Sequence, residues 1–288
     1  MSEVVLVTGS NGQLGYDVVK LLEENNYIVV GCNREKLDIT NLDNVKQIFE
    51  EVNPSIIVHC AAYTNVDQAE SDVELAYKVN AIGTRNLVAS AEAIGAKFVY
   101  ISTDYVFDGE GSEPYNEFMP TSPLGVYGHS KLAGEELVTS LSTKYFIVRT
   151  SWVYGSNGNN FVKTMLKLSE DRNSLNVVND QRGCPTYTFD LAECILNLIN
   201  TEKYGIYHAS NSGSCTWFEF ANAIFNEANI NIQVNPVSTL EFPRPAKRPS
   251  YSVLDHMSLR LNEIPEMRPW QEALRNFLKV NKSLEKKV

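Results

Sequence analysis

Val4-Val5-Leu6-Val7, followed by Thr8-Gly9-Ser10-Asn11-Gly12-Gln13-Leu14-Gly15, is the stretch that decides the fold. Its first four residues are aliphatic with no polar interruption, the pattern of a strand buried on both faces. Glycines then stand at 9, 12 and 15, and Leu14, Val18, Val19, Leu21 and Leu22 follow at helical spacing. The first glycine permits a sharp turn after the strand, the second lets a diphosphate approach, and the third lets helix pack on strand. The helix N-terminus adds free N–H groups and the positive end of its dipole. Glycine spacing alone is a weak sign. Placed directly after an N-terminal strand and opening a helix, it makes a dinucleotide site the expected reading.

The alternation continues outward from this unit. Residues 27–31, 55–59, 97–102 and 145–149 read as further strands. Between them the sequence predicts a helix capped by Thr40 that runs to about Val52, and a long helix from a Ser71/Glu74 capping box to near Gly95. A further helix is opened by Ser122-Pro123. Five βα units in a row predict an α/β fold with a Rossmann-type doubly wound parallel sheet. After residue 150 the texture changes. Helices are expected at 160–171, 188–200, 216–228 (with a Thr216/Glu219 capping box) and 270–281, and strands near 174–178 and 205–208. The expected division is a NAD(P)-binding Rossmann domain over 1–150 and a smaller mixed α/β substrate domain over 151–288, with some segments returning to the first sheet. A loop over 236–250 carries Pro236, Pro243, Pro245 and Pro249 beside Arg244, Lys247 and Arg248. It reads equally as a surface connection or as a preset loop placing cations over an anionic ligand. Lys286-Lys287 reads as a frayed end.

Composition narrows the classes. The 288 residues are 43% hydrophobic and 21% charged, ordinary for a soluble globular chain. The formal net charge of −10 argues against nucleic acid as a partner and requires local cations for any anionic substrate. Cysteines 32, 60, 184, 194 and 215 form no C-x-x-C, and Cys32 and Cys60 fall in predicted strands, so buried thiols in a reducing, cytoplasmic setting are expected. The four histidines lack ligand spacing, so no metal is expected. No secretory leader and no apolar run of membrane-spanning length is read in the sequence.

Two Tyr-x-x-x-Lys patterns occur, Tyr16/Lys20 and Tyr127/Lys131. On a helix, residues four apart share a face, and a cation beside a phenol lowers its pKa. Tyr16/Lys20 lies on the first helix and reads as a surface pair. Tyr127/Lys131 opens the helix after the fourth strand, above the carboxyl edge of the sheet, where open α/β folds bind ligands. The fourth strand ends at the same edge in Ser102-Thr103-Asp104, so the Thr103 hydroxyl can join Tyr127 on a carbonyl oxygen.

These residues carry a resemblance. The stretches TGSNGQLG (8–15), LDIT (37–40), CAAYTNVDQAE (60–70), STDYVFDG (102–109) and YGHSK (127–131) resemble the extended short-chain dehydrogenase/reductase superfamily. Within it they resemble the dTDP-4-dehydrorhamnose reductase family. RTSWVYG (149–155), NFV (160–162), DQRGCPT (180–186) and RPSYSVL (248–254) extend the match over nearly the whole chain. The resemblance implies hydride transfer from NAD(P)H to the C4 ketone of dTDP-4-dehydro-β-L-rhamnose, the last step of dTDP-L-rhamnose biosynthesis. Tyr127 would donate the proton, Lys131 would tune it and hold the nicotinamide ribose, and Thr103 would assist. It further implies Thr103, Asp104 and Trp152 at the sugar. Along the cofactor it implies Gly9, Asn11, Gly12, Gln13 and Leu14 at the turn, Asp38 and Ile39 near the adenine, and Ala61, Ala62 and Tyr63 after the third strand.

NAD enzymes commonly carry an acidic residue at the end of the second strand, to bond the ribose 2′-hydroxyl. Here that place reads Gly31-Cys32-Asn33-Arg34, and Arg34 suits a 2′-phosphate, so NADPH is expected, with NADH the second option. Some family members dimerise through Mg²⁺ held by clustered glutamates. Asp17 and Phe189 (beside Asp190) stand at the matching positions, so no metal-bridged dimer is expected and the chain is read as a monomer or homodimer. Two other readings remain at this stage: an epimerase or dehydratase of the same fold, and a non-catalytic NADP-binding regulatory subunit resembling that of methionine adenosyltransferase.

Overall fold

Val5 and Val7 pack into one apolar cluster and Leu6 into another, on opposite sides of the first strand. A computed structural model describes residues 3–285, so Lys286 and Lys287 lie outside the described residues. The first half runs β1 (Val4–Thr8), α1 (Gln13–Glu24), β2 (Ile28–Cys32), α2 (Leu42–Val52), β3 (Ile56–His59), α3 (Val66–Ala69), α4 (Val73–Tyr77), a π-helical turn (Lys78–Gly83), α5 (Thr84–Ala93), β4 (Lys97–Thr103), α6 (Val126–Leu141) and β5 (Tyr145–Thr150). The second half runs β6 (Val153–Tyr154), α7 (Phe161–Asp171), β7 (Ser174–Val178), β8 (Arg182–Gly183), β9 (Thr186–Tyr187), α8 (Thr188–Ile199), β10 (Gly205–His208), β11 (Cys215–Thr216), α9 (Trp217–Ala228), β12 (Gln233–Val237), α10 (Met257–Leu261) and α11 (Trp270–Glu285).

Six strands make one parallel sheet in the order β10-β5-β4-β3-β1-β2. Its direction of winding reverses at β1, and the crevice at the carboxyl ends beside such a switch is where doubly wound folds bind ligands. α1 and α8 cover one face with Leu14, Val18, Leu191, Ile195 and Leu198; α2, α5 and α6 cover the other with Val45, Ile48, Leu87, Val88 and Val138. Each such buried aliphatic side chain contributes about 1.5–3 kcal/mol. Leu6 is fully buried at the centre, and Leu6→Ala would cost roughly 2–5 kcal/mol. β10 and α8 come from beyond residue 150, so the second half completes the sheet and one helical layer. A third cluster, with Val162, Leu175, Phe220, Ile224 and Phe277, gathers α7, α9 and α11 around the ribbons β7–β12 and β8–β11.

Three local expectations are corrected. Asn41, not Thr40, caps α2: its side chain accepts from Asp43 N and Asn44 N, while Thr40 bonds Asp38. Ser71 makes no capping box; its hydroxyl donates to Gln68 O, and the long helix starts at Val73 and runs without a break to Ala93 through α4, the π turn and α5. The π turn has a reason. The extra residue brings Asn80 inward, where its amide accepts from Tyr63 N (2.8 Å) and donates to Tyr63 O (3.1 Å) and Ser130 Oγ (2.9 Å). The catalytic-side helix α6 begins at Val126 rather than at Pro123, because Glu70 Oε1 accepts Val126 N at 2.9 Å and supplies the cap from α3's end. The Thr216/Glu219 capping box is present as read.

Candidate active site

A cleft of about 920 Å³ runs along the carboxyl edge of the sheet. It is lined by Gly9, Asn11, Gly12, Gln13, Leu14, Arg34, Asp38, Ile39, Ala61, Ala62, Tyr63, Thr103, Asp104, Tyr127, Lys131 and Trp152, so every site residue singled out in the sequence reaches one cavity. The other Tyr-x-x-x-Lys pair is elsewhere: Tyr16 is half exposed and Lys20 pairs with Glu24 at 4.0 Å on the surface.

At one end the backbone makes the site. Gly9 takes φ +64°, and a Cβ there would lie 2.8 Å from Ala61 N. A Cβ on Gly15 would lie 2.2 Å from Gly9 O, so only glycine lets α1 start this close to the turn. Gly12, at the N-cap of α1, uses no side chain, which leaves the helix N–H groups facing the cleft. Asn157 Nδ2 donates to Asn11 O at 2.6 Å and Asn160 Nδ2 to Gln13 Oε1 at 3.0 Å, so a loop from the second half braces this turn. Ala61 N donates to Thr8 Oγ1 at 3.2 Å. Further along, Asp38 accepts Thr40 N and Oγ1, and the Thr40 hydroxyl bond holds its carboxyl below the usual carboxylate range, with Arg34 and Lys78 adding positive charge. No acid stands directly at the end of β2; Asn33 and the exposed Arg34 line the cleft there. A glycine cradle, a bare helix N-terminus and a cation at the end of β2 fit a dinucleotide with a 2′-phosphate.

At the other end side chains make the site. Lys131 is 2% exposed; its ammonium donates to Ile101 O at 2.7 Å and lies 4.0 Å above the Tyr100 ring. Burial pulls its pKa down to about 7, against the charge of Glu135. Tyr127 does not show the lowered pKa expected from its neighbour. Burial raises it, and the hydrogen bond with Thr103 is what opposes the rise. The phenol is therefore held protonated, which suits a proton donor. Thr103 ends β4, donates to Asp104 Oδ1 at 3.0 Å and accepts Tyr105 N. Burial pushes the Asp104 carboxyl up to about 6. Its Oδ2 is buried without a well-formed hydrogen bond, and so is Thr150 Oγ1, directly across the β4–β5 ladder from Thr103. Ser252 weighs against the Asp104 shift without closing such a bond on Oδ2. Two orphaned polar atoms in one cleft mark where a polar ligand belongs.

Trp152 sits past β5 at φ +47°, a conformation that costs a bulky residue about 1–3 kcal/mol and persists only where its surroundings enforce it. They do. The indole stacks on Trp217 with ring centres 3.5 Å apart and planes 7° apart, and Trp217 meets Phe161 at 4.6 Å. A Cβ on Gly183 would lie 2.6 Å from Trp152 Cε2. The proline-rich loop is anchored at the rim: Arg248 pairs with Asp67 (2.9 Å) and donates to Tyr105 Oη (3.1 Å), and Arg244 lies 3.6 Å from Asp67.

Below the cleft, Glu135 and Arg149 form an ion pair of 2.6 Å, both side chains 4% exposed. Removing one partner of such a pair costs roughly 3–5 kcal/mol. Sequence reading passed over Thr150, Lys78, Glu135 and the 157–160 brace. Thr150 and Arg149 stand inside the quoted stretch 149–155, but nothing local gave them a role. Asp17 and Asp190 are spent inside the molecule: Asp17 accepts a short bond from the Thr188 hydroxyl, and Asp190 takes Arg268 (2.6 Å) and Asn211. Cys60, expected in a strand, lies half-buried just past β3 in the cleft wall, and burial raises its thiol pKa to about 12.

A six-stranded parallel sheet, a glycine-turn cleft and a Tyr-x-x-x-Lys helix at its edge define a short-chain dehydrogenase/reductase fold. The chain belongs to the family described as "RmlD substrate binding domain", whose match runs over residues 3–283. It is 44% identical over 279 residues to the spore coat polysaccharide biosynthesis protein SpsK of Bacillus subtilis, covering 97% of this chain and 98% of that one. It is 43% identical to the dTDP-4-dehydrorhamnose reductase of Aggregatibacter actinomycetemcomitans, covering 95% and 97%. The crystal structure of dTDP-4-dehydrorhamnose reductase from Bacillus anthracis in complex with NADP superposes with a TM-score of 0.95 at 52% identity, covering 96% of this chain and 99% of that one.

Proposed function

We propose that this chain reduces the C4 ketone of dTDP-4-dehydro-β-L-rhamnose to dTDP-β-L-rhamnose with hydride from NAD(P)H, the closing step of dTDP-L-rhamnose biosynthesis. The observation that carries the reading is that Tyr127, Lys131 and Thr103 line one cleft with the orphaned oxygens of Asp104 and Thr150 and with the glycine turn. Bound reduced nicotinamide supplies the hydride. Hydride arrival places negative charge on the carbonyl oxygen, and the chain's own groups meet it. Tyr127 gives that oxygen its proton, and Thr103 donates a hydrogen bond to it. Lys131 provides the positive charge that stabilises the phenolate left behind, and its ammonium also suits the nicotinamide ribose. Asp104 and Trp152 orient the sugar. Removing a single positioned donor of this kind costs roughly 10²–10³ in turnover.

NADPH is the preferred cofactor in this reading, because Arg34 stands where an acid would select NAD, with NADH the second option. Mg²⁺ is not required, since Asp17 and Asp190 are engaged internally. The protein works in the cytoplasm as a monomer or homodimer, on a dTDP-sugar, without nucleic acid. Among the described residues no helix is long and apolar enough to cross a membrane. The test is loss of reduced-nicotinamide absorbance with enzymatically made dTDP-4-dehydro-β-L-rhamnose, NADPH and NADH tried separately without added metal. Formation of dTDP-L-rhamnose, faster with NADPH, is the expected result. No oxidation of either cofactor, with or without Mg²⁺, contradicts the reading.

A further inference from the structure

Tyr127, Lys131 and Glu135 stand one turn apart on one face of α6, and each meets the end of β4. Tyr127 lines the cleft with Thr103, Lys131 donates to Ile101 O at 2.7 Å, and Glu135 Oε1 accepts Ser102 Oγ at 2.5 Å. Three consecutive strand residues, 101–103, are thus read by three successive turns of the helix. Glu135 is 3% exposed, and nothing in the reduction described above uses it. It is braced from behind. Arg149 donates from Nε at 2.9 Å to Oε1 and from NH2 at 2.6 Å to Oε2, and Arg149 is the partner of Ser102 in the β4–β5 ladder. Arg149 NH1 lies 3.4 Å from His208 Nε2 on β10. His208 Nδ1 faces the carbonyls of Tyr115 and Asp255 at 3.0 and 3.1 Å, so the hydrogen-bond network assigns its proton to Nδ1 and leaves Nε2 to accept from Arg149.

We infer that Glu135 is a positioning residue, resting on the reading of Tyr127 and Lys131 given above: braced by Arg149, it sets the register of α6 on the tip of β4, and its fixed negative charge holds Lys131 as an ammonium. The groups bearing on Lys131 are Tyr127 and Glu135 from α6, Tyr100 from β4, and His59 and Cys60 from the end of β3. Asp104 bears on Tyr127, and Arg149 on Glu135. Burial keeps His59 neutral, with its pKa near 3, holds the Cys60 thiol near 12 and raises Tyr100, so Glu135 is the anion among the groups bearing on Lys131. A buried ammonium without that anion loses its proton at lower pH.

The experiment is the pH profile of kcat for wild type, Glu135→Gln, Glu135→Gln/Arg149→Met and Ser102→Ala. Glu135→Gln keeps the shape and removes the charge. Its alkaline limb moves to lower pH by about one unit, so kcat at pH 8 falls about fivefold more than at pH 6, while KM for the sugar stays within about threefold. The double variant removes both buried charges, an exchange that folded proteins often tolerate, and shifts the limb in the same direction by less, because the lost Arg149 cation partly offsets the lost carboxylate. Ser102→Ala leaves the charges and removes the register bond, so kcat falls about fivefold at every pH without a shift. A folded Glu135→Gln or double variant with the wild-type profile overturns the inference, as does Ser102→Ala at wild-type kcat. If wild type oxidises no NADPH with the sugar, the proposed function is what fails. NADPH affinity against pH, read by its fluorescence, then still reports the charge of Lys131. An earlier alkaline loss of affinity in Glu135→Gln supports the inference, and superimposable curves overturn it.

Discussion

The two ends of the cleft are built on different principles. The cofactor end is backbone: Gly9 in a left-handed turn, Gly15 against Gly9 O, Ala61 bonded to Thr8, and a bare helix N-terminus. Its backbone spacing is fixed by what side chains are missing, and its open donors are the N–H groups at the start of α1. The substrate end is side chains brought in from distant parts of the chain. It holds unpartnered buried oxygens on Asp104 and Thr150, a lysine pulled down toward 7, a carboxyl pushed up toward 6, and a tryptophan in a costly backbone conformation. Unpaired buried oxygens also occur at Glu117 and Tyr154, but only in this cleft do two of them meet a bulky residue at positive φ among the described residues, as in a site complementary to a ligand. The cofactor end can be shared by many enzymes of this fold, while the substrate end sets what is reduced.

Substitutions at each end should therefore fail differently. The largest effect is expected from Tyr127→Phe: turnover falls at least about 100-fold, as for loss of a general acid, while NADPH affinity stays within about twofold. Fluorescence titration beside the absorbance assay checks both, and a parallel loss of affinity would dissolve the distinction between the ends. Gly183→Ala comes next. Its backbone tolerates alanine, but the new Cβ displaces the Trp152 indole that Trp217 holds from the other side. KM for the sugar rises about tenfold with the NADPH constant unchanged; unchanged KM would show that the indole does not orient the sugar. Arg34→Ala acts at the opposite end and weakens NADPH about tenfold without changing NADH, because only one of the two cofactors carries the 2′-phosphate. Equal losses with both cofactors would remove that assignment. The smallest effect is the pH response of Asp104. Above about 6 the carboxyl is ionised and accepts sugar hydroxyls; below it the proton weakens that acceptance. Sugar affinity should fall a few-fold as pH drops from 7 to 5 in wild type and stay flat in Asp104→Asn, measured by KM across that range.

The same contrast explains what could be read from the sequence. A backbone-built site is local: residues 4–15 carry strand, turn and helix together, and the strand periodicity placed β1 to β5. The second-half strand at 205–208 was also visible, but its place beside β5 was not, because pairing across 59 residues leaves no mark in periodicity. Tyr127 and Thr103 are legible from their places at the carboxyl edge of the sheet, whereas the roles of Asp104 and Trp152 come only through stretches shared with a known family. The expected pKa lowering at Tyr127 failed because burial, invisible in a Tyr-x-x-x-Lys spacing, raises the phenol, and Asp104 and Tyr105 add to the rise. The long helix after Ser71 is present from Val73 to Ala93, but its π turn left no mark in the sequence, because it follows from three hydrogen bonds that Asn80 gains by turning inward. Glu135 gave no signal, since a glutamate on a helix is ordinary until Arg149 and Ser102 are seen against it.

The central claim is that the sugar's reacting oxygen lies between Tyr127 and Thr103. A crystal structure of the protein with NADP and dTDP-L-rhamnose tests it directly. The account predicts the C4 hydroxyl within about 3 Å of both Tyr127 Oη and Thr103 Oγ1, with Asp104 Oδ2 and Thr150 Oγ1 paired. A sugar bound with C4 turned away from Tyr127, and those two oxygens still unpaired, would contradict it.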